Sequence, residues 1–182
     1  GRHDLVVRAP DGTLSRPLAP FCAPVHPQIG SDRSGLVIRR LLVVYSRCQG
    51  ASDIAGCDVY AYDVQRSRED RIHQISTQRY SETAPSLNLG RWAFVRRGGG
   101  AGARKGIYAW STFSTRAPRR ISTTIARETA NNASRVAYTY NSSRGGGVAI
   151  RRLSGEGGAL VVAARQQVVP NAVALTRYNA AW

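Results

Sequence analysis

Three histidines, three cysteines and eleven acids are the residues through which this chain could do chemistry. His3 lies near the first residue, His26 among prolines, and His73 on a segment of strand character. A hydrolytic triad needs a histidine brought beside a serine and a carboxylate. No Gly-x-Ser-x-Gly elbow accompanies these histidines, and no catalytic residue is assigned. Asp53, Asp58 and Asp63 are spaced too loosely for calcium, because the Asp-x-Asp-x-Asp-Gly loop is missing. Glu69-Asp70 reads as a solvated turn, and Asp11 as the residue that shapes its own turn. Cys22, Cys48 and Cys57 contain no Cys-x-x-Cys pair, so zinc spacing is absent as well. The expectation is an enzyme activity of none, no metal and no cofactor.

Cys48 and Cys57 flank a loop, Gln49 to Gly56, between two expected strands, so the loop ends lie close together. Two readings stand: a disulfide, which implies an oxidising compartment, or two thiols beside a loop. Cys22 is left over as a small apolar group. The tract Gly98-Gly99-Gly100-Ala101-Gly102 is followed by Lys105, but Gly106 and a strand come next. A phosphate cradle needs Ser or Thr and a helix at that point, so the tract reads as a loop.

The elements that must position these residues repeat. Val43-Val44-Tyr45-Ser46-Arg47 returns as Trp92-Ala93-Phe94-Val95-Arg96, then as Val136-Ala137-Tyr138-Thr139-Tyr140, and weakly as Val173 to Arg177. Asp58 to Asp63 returns as Gly106 to Ser111, and Arg71-Ile72 as Arg120-Ile121. One order at one spacing, close to fifty residues, predicts propeller blades built of short strands. Continuous apolar runs such as Leu41 to Tyr45 suit strands covered on both faces.

The chain divides accordingly. Residues 1–18 read as a partial blade, a hairpin turning at Asp11-Gly12. A linker follows over 19–34, rich in proline, which cannot donate to a ladder. Blades are expected over 35–80, 81–124 and 134–168, and a partial blade over 171–182. Expected strands include Arg71 to Ile75 at an outer edge. Ile125 to Ala133 is the one weakly helical window, and Thr124, Thr129, Asn131 and Asn132 weaken it, so little or no helix is predicted. The fold class is all-β, a propeller of three to four blades, with two readings: a fragment of a larger propeller, which is preferred, or a small four-bladed ring in which the termini pair to complete a shared blade.

The formal charge is +15, with Lys105 the only lysine. The arginines are dispersed along the chain, whereas a nucleic-acid reader gathers them on one stripe. Non-specific attraction to polyanions is expected, specific nucleic-acid binding is not. No apolar run is long enough to span a bilayer as a helix. No basic segment precedes an apolar one, and no methionine occurs. The chain therefore reads as a processed form, a cloned domain or a piece of a longer reading frame.

Ser81 to Leu87, Gly90-Arg91-Trp92-Ala93-Phe94, Ile107-Tyr108-Ala109-Trp110 and Arg120-Ile121 together resemble the TolB-type β-propeller repeat. The likeness covers residues 36–122 well and 134–178 poorly. Leu87-Asn88-Leu89-Gly90 stands where that family places a Ser-Pro-Asp-Gly turn. Tyr45-Ser46-Arg47-Cys48 and Ser81 to Ser86 are also similar to blades of secreted actinobacterial proteins. The resemblance implies a secreted or periplasmic, non-enzymatic scaffold that binds protein or a small ligand on a propeller face. A rival reading is the propeller domain of a secreted peptidase or hydrolase whose catalytic domain lies elsewhere.

Most of the repeated aromatics are expected to pack blade against blade. Tyr62 and Trp110 are the candidates to reach a face and bind, with Arg97 and Arg104 beside them. Gln49 to Gly56, Gly98 to Lys105 and Asn141 to Gly147 are the candidate binding loops.

Overall fold

The computed structural model describes residues 6–8, 11–15, 28–34, 38–49, 56–143, 145–166, 173–175 and 180–181. His3, Cys22, His26, Asp53 and most of the proline-rich stretch and the 49–56 loop lie outside the described residues. Within the described residues the chain is all-β, with no helix.

Three antiparallel four-stranded meanders form the body. The first sheet is β3 (Gln28–Ser34), β4 (Ile38–Cys48), β5 (Cys57–Asp63) and β6 (Arg68–Arg71). The second is β7 (Ser81–Asn88), β8 (Arg91–Arg97), β9 (Gly106–Ser111) and β10 (Arg119–Ser122). The third is β11 (Ala126–Asn131), β12 (Arg135–Ser142), β13 (Gly145–Arg152) and β14 (Leu160–Gln166). Two hairpins flank them: β1 (Val7–Arg8) with β2 (Leu14–Ser15), and β15 (Ala174–Leu175) with β16 (Ala180–Ala181). A single parallel bridge, Ser31 to Asn88, joins the first strands of the first two sheets.

The sequence repeats fall in matching rows. Tyr45 pairs with Tyr60, which pairs with Arg71. Phe94 pairs with Tyr108, which pairs with Arg120. Tyr138 pairs with Ala149, which pairs with Val161. Tyr45 and Phe94 are thus in equivalent second strands and are not paired with each other.

Because side chains alternate across a strand, each sheet has two apolar faces, and each face meets a different neighbour. Val43, Tyr45 and Tyr62 of the first sheet receive Val7 of the first hairpin. Its other face, Leu42, Val44, Val59 and Ala61, packs on Trp92, Phe94 and Tyr108 of the second sheet. The second sheet turns Ala93, Val95 and Ile107 to Val136, Tyr138 and Ala149 of the third. The third turns Ala137 and Val148 to Val173, ahead of β15. Tyr45 and Phe94 are fully buried. Burial of side chains this size is worth about 1.5–3 kcal/mol each. The aromatic pairs stack within each sheet, Tyr45 on Tyr60 at 6.2 Å and Phe94 on Tyr108 at 5.7 Å.

Local chemistry sets the turns. Asp11 accepts from the Thr13 amide at 2.9 Å, which holds its carboxyl below the usual range and fixes the first hairpin. Leu89 and Gly90 both have positive φ, 48° and 71°, the geometry of a tight two-residue hairpin between β7 and β8. Asn132 caps the β11–β12 turn, accepting from the Ser134 and Arg135 amides.

The strand boundaries differ from expectation in several places, and Ser81–Asn88, where no strand was expected, is strand β7. Gln28–Ser34, expected as linker, is strand β3: the ladder begins directly after Pro27, where donors become available. Ala126–Asn131, the weakly helical window, is strand β11, because its polar side chains find partners on β7. The outer strand of the first sheet is Arg68–Arg71 and not Arg71 to Ile75. Past Arg71 the chain turns back, with the Ser76 hydroxyl bonded to the Val59 amide and carbonyl.

Candidate binding clefts

A meander places its turns alternately at two ends. The turns after the first and third strand of each sheet lie at one end, here called the lower. The turn after the second strand and the connection to the next sheet lie at the other, the upper.

At the lower end the first and second sheets diverge and leave a cleft of about 760 Å³. Its floor is apolar, from Leu42, Ala61 and Trp92, and its rim carries Arg40, Asp63, Asp70 and Gln74. Trp92 and Trp110 are directly opposed on β8 and β9. The Trp92 indole donates to the Thr112 hydroxyl at 3.1 Å, and Thr112 in turn donates to the Gly90 carbonyl. The Trp110 indole donates to the Arg116 carbonyl at 3.1 Å, which fixes the ring at the cleft wall. Asp63 shapes the β5–β6 turn by accepting from the Gln65 and Arg66 amides.

A second crevice of about 380 Å³ lies between the second and third sheets at the same end. It shares Trp110, Ser114, Arg116 and Ala117 with the first cleft. The β9–β10 turn is therefore a partition with a recess on each side. Arg119 crosses this crevice and donates to the Ser154 carbonyl of the third sheet.

The upper end holds the charged pairs. Cys48 and Cys57 are opposite each other on β4 and β5 and form a disulfide. Below it, Arg47 reaches Glu69 at 2.6 Å, Tyr45 donates its hydroxyl to the same carboxylate, and the Arg47 guanidinium lies 4.3 Å from the Tyr60 ring centre. Burial, and then the Glu69 bond, push the Tyr45 phenol well above its ordinary range.

The second sheet repeats the device. Arg96 occupies the place of Arg47, lies 4.5 Å from the Tyr108 ring centre, and bonds Glu82 at 3.0 Å. Glu82 is fully buried and also accepts from the Thr77 amide and hydroxyl. Burial raises its carboxyl above the usual range, against the Thr77 bonds and the Arg96 charge. Near this pair, a recess of about 430 Å³ is lined by Asp58, Tyr60, Arg71 and Tyr80. Asp58 bonds Arg71 at 2.9 Å, an interaction that raises the Arg71 pKa, and His73 lies 3.5 Å from the same guanidinium.

The four residues expected to bind are not brought together. Tyr62 is 1% exposed and belongs to the packing between the first sheet and the first hairpin. Trp110 is half-buried at the lower end, in the wall of both clefts. Arg97 is half-buried at the upper end and donates to the Ala126 carbonyl at 2.6 Å. Arg104 is exposed on the upper loop, its carbonyl accepting from Tyr108. All three candidate loops share the upper end, with 50–55 and 144 outside the described residues, but Asn141 to Gly147 is mostly strand: Asn141 pairs with Gly146 and Ser142 with Gly145 across β12 and β13, which leaves only the short 143–144 turn.

Arg40, Trp92, Asp63, Arg91 and Arg116 are the cleft residues that the sequence reading passed over. The signal available for them was register: once Phe94 is set opposite Tyr108, Trp92 must face Trp110. Among the described residues no helix is long and apolar enough to cross a membrane, and no cluster of metal-ligating side chains occurs. No protein-family model matches the chain, and no curated protein matches it.

Proposed function

We propose that the chain is a set of consecutive β-propeller blades of TolB-like character, acting outside the cytoplasm as a non-enzymatic scaffold for protein or ligand. The observation that carries this reading is the recurring row, Tyr45–Tyr60–Arg71 and Phe94–Tyr108–Arg120, each aromatic pair turned to the preceding unit. Four-stranded meanders that pack face to face on their neighbours, with their first strands brought close, are what blades around an axis require. In keeping with this, Ser31 bridges Asn88, and Thr129 of β11 bonds the Ala84 carbonyl of β7. The disulfide supports an oxidising compartment.

Binding belongs to the lower cleft, whose apolar floor and few convergent polar groups suit a ligand or a protruding side chain. Thermal-shift screening against peptides, glycans and nucleotides tests this. A ligand should raise the midpoint of the native chain, and the shift should disappear in Trp110→Ala with Arg40→Ala. Turnover of the ligand by the purified chain would contradict the non-enzymatic reading. Alkylation and mass analysis of protein taken from its native compartment should find Cys48 and Cys57 oxidised; free thiols would contradict the extracytoplasmic reading.

A further inference from the structure

Five of the acids whose burial is described are drawn inward. Asp58, Glu69 and Glu82 each hold an arginine, Asp63 holds a turn, and Glu128 is buried. Asp11, Asp70 and Glu156 are the exposed acids among the described residues, against thirteen exposed Arg and Lys side chains. Three of those cations meet in the crevice between the second and third sheets: Arg91, Arg116 and Arg119 line it with Trp110, Ser111 and Ser114, and no carboxylate does. The guanidinium groups of Arg91 and Arg116 are exposed and take no partner among the described residues.

We propose that this crevice binds an acidic saccharide, with a uronate carboxylate held by Arg91 and Arg116 and the ring hydroxyls met by Ser111 and Ser114. Guanidinium forks match a carboxylate in the plane of two hydrogen bonds. The Ser111 and Ser114 hydroxyls accept from the Phe113 and Arg116 amides and keep a proton each to donate to ring hydroxyls. The size, about 380 Å³, is at the small end for a ligand site.

Nucleic acid is the competing polyanion. It is disfavoured because consecutive bases need stacking platforms, and Trp110 turns with Trp92 to the first-sheet side of β9. The oxidised Cys48–Cys57 pair also places the chain away from the cytoplasm. The proposal rests on the reading of the chain as an extracytoplasmic binding scaffold.

The test is calorimetric titration with an oligogalacturonate, with the neutral galactose oligomer of equal length, and with a single-stranded oligonucleotide of equal charge, at about 0.15 M salt. The uronate oligomer should bind about tenfold or more tighter than the neutral one. Arg91→Ala with Arg116→Ala should lose about tenfold or more, while Arg79→Ala with Arg104→Ala, the same charge removed at the upper end, should change affinity less than about twofold.

Equal losses in the two double variants would reduce the effect to bulk charge and overturn the site. Equal binding of the neutral oligomer, or tighter binding of the oligonucleotide with the same variant pattern, would overturn the ligand class. If the oligogalacturonate fails while another ligand still depends on Trp110 and Arg40, this proposal falls and the scaffold reading stands. If nothing binds and the native cysteines are reduced, both fall.

Discussion

Two arginines in equivalent places, Arg47 and Arg96, show how single residues hold this stack. Each lies over the tyrosine of the neighbouring strand and each takes a buried or half-buried glutamate. Removing one member of such a pair leaves the other charge uncompensated, which costs about 3–5 kcal/mol. Arg96→Ala and Glu82→Ala should each lose that much in urea unfolding. The double variant should lose clearly less than their sum, since the stranded partner is gone; simple additivity would show that the contact carries no coupling.

Tyr45 makes a pH prediction. Its phenol is raised in the folded chain by burial and by Glu69, while the unfolded phenol titrates near about 10. Below that pH both states are protonated and the contribution is intact. Above it the unfolded chain releases a proton that the folded chain keeps, so stability falls as pH rises. Denaturant unfolding above about pH 10 should therefore show a steeper alkaline loss for the native chain than for Tyr45→Phe, by up to about 1.4 kcal/mol per pH unit. Parallel curves would contradict it.

At the scale of elements, backbone fit decides the edges. Gly106 opens β9 at φ 137°, and a Cβ there would meet the Ser122 carbonyl of β10. The register of that pair shifts between Arg120 and Ser122, so the bulge is built around the missing side chain. Gly106→Ala should cost roughly 2–3 kcal/mol in chemical denaturation and detach β10; a neutral substitution would mean that β10 can give way freely. The second and third strands were legible in the sequence because their faces are apolar and their aromatics recur, as Tyr45, Phe94 and Tyr138 do.

The first strands were not legible. Ser81–Asn88 and Ala126–Asn131 carry polar side chains that look like loop or weak helix when read alone. Ser86, Thr129 and Asn131 bond one another between the two sheets, and Thr129 also bonds the Ala84 carbonyl. That satisfaction is tertiary, so no local pattern announces it. Even the shared stretch Glu82-Thr83-Ala84 and Glu128-Thr129-Ala130 is too short to stand out before the sheets are aligned. The candidate site was legible only at Trp110. Tyr62, the equivalent residue of the first sheet, also turns to its preceding unit, but there it is buried in the packing against the first hairpin.

For the whole molecule, each sheet is stabilised by the faces of its neighbours, and the lower clefts exist because the sheets splay where their turns begin. Methyl-labelled NOE spectroscopy tests the stacking most directly. Val44 and Val59 methyls should show contacts to the Phe94 and Tyr108 rings, and Val95 and Ile107 methyls to the Tyr138 ring. Backbone Hα–Hα contacts between Tyr45 and Phe94, the mark of strands paired edge to edge in one sheet, would contradict the account.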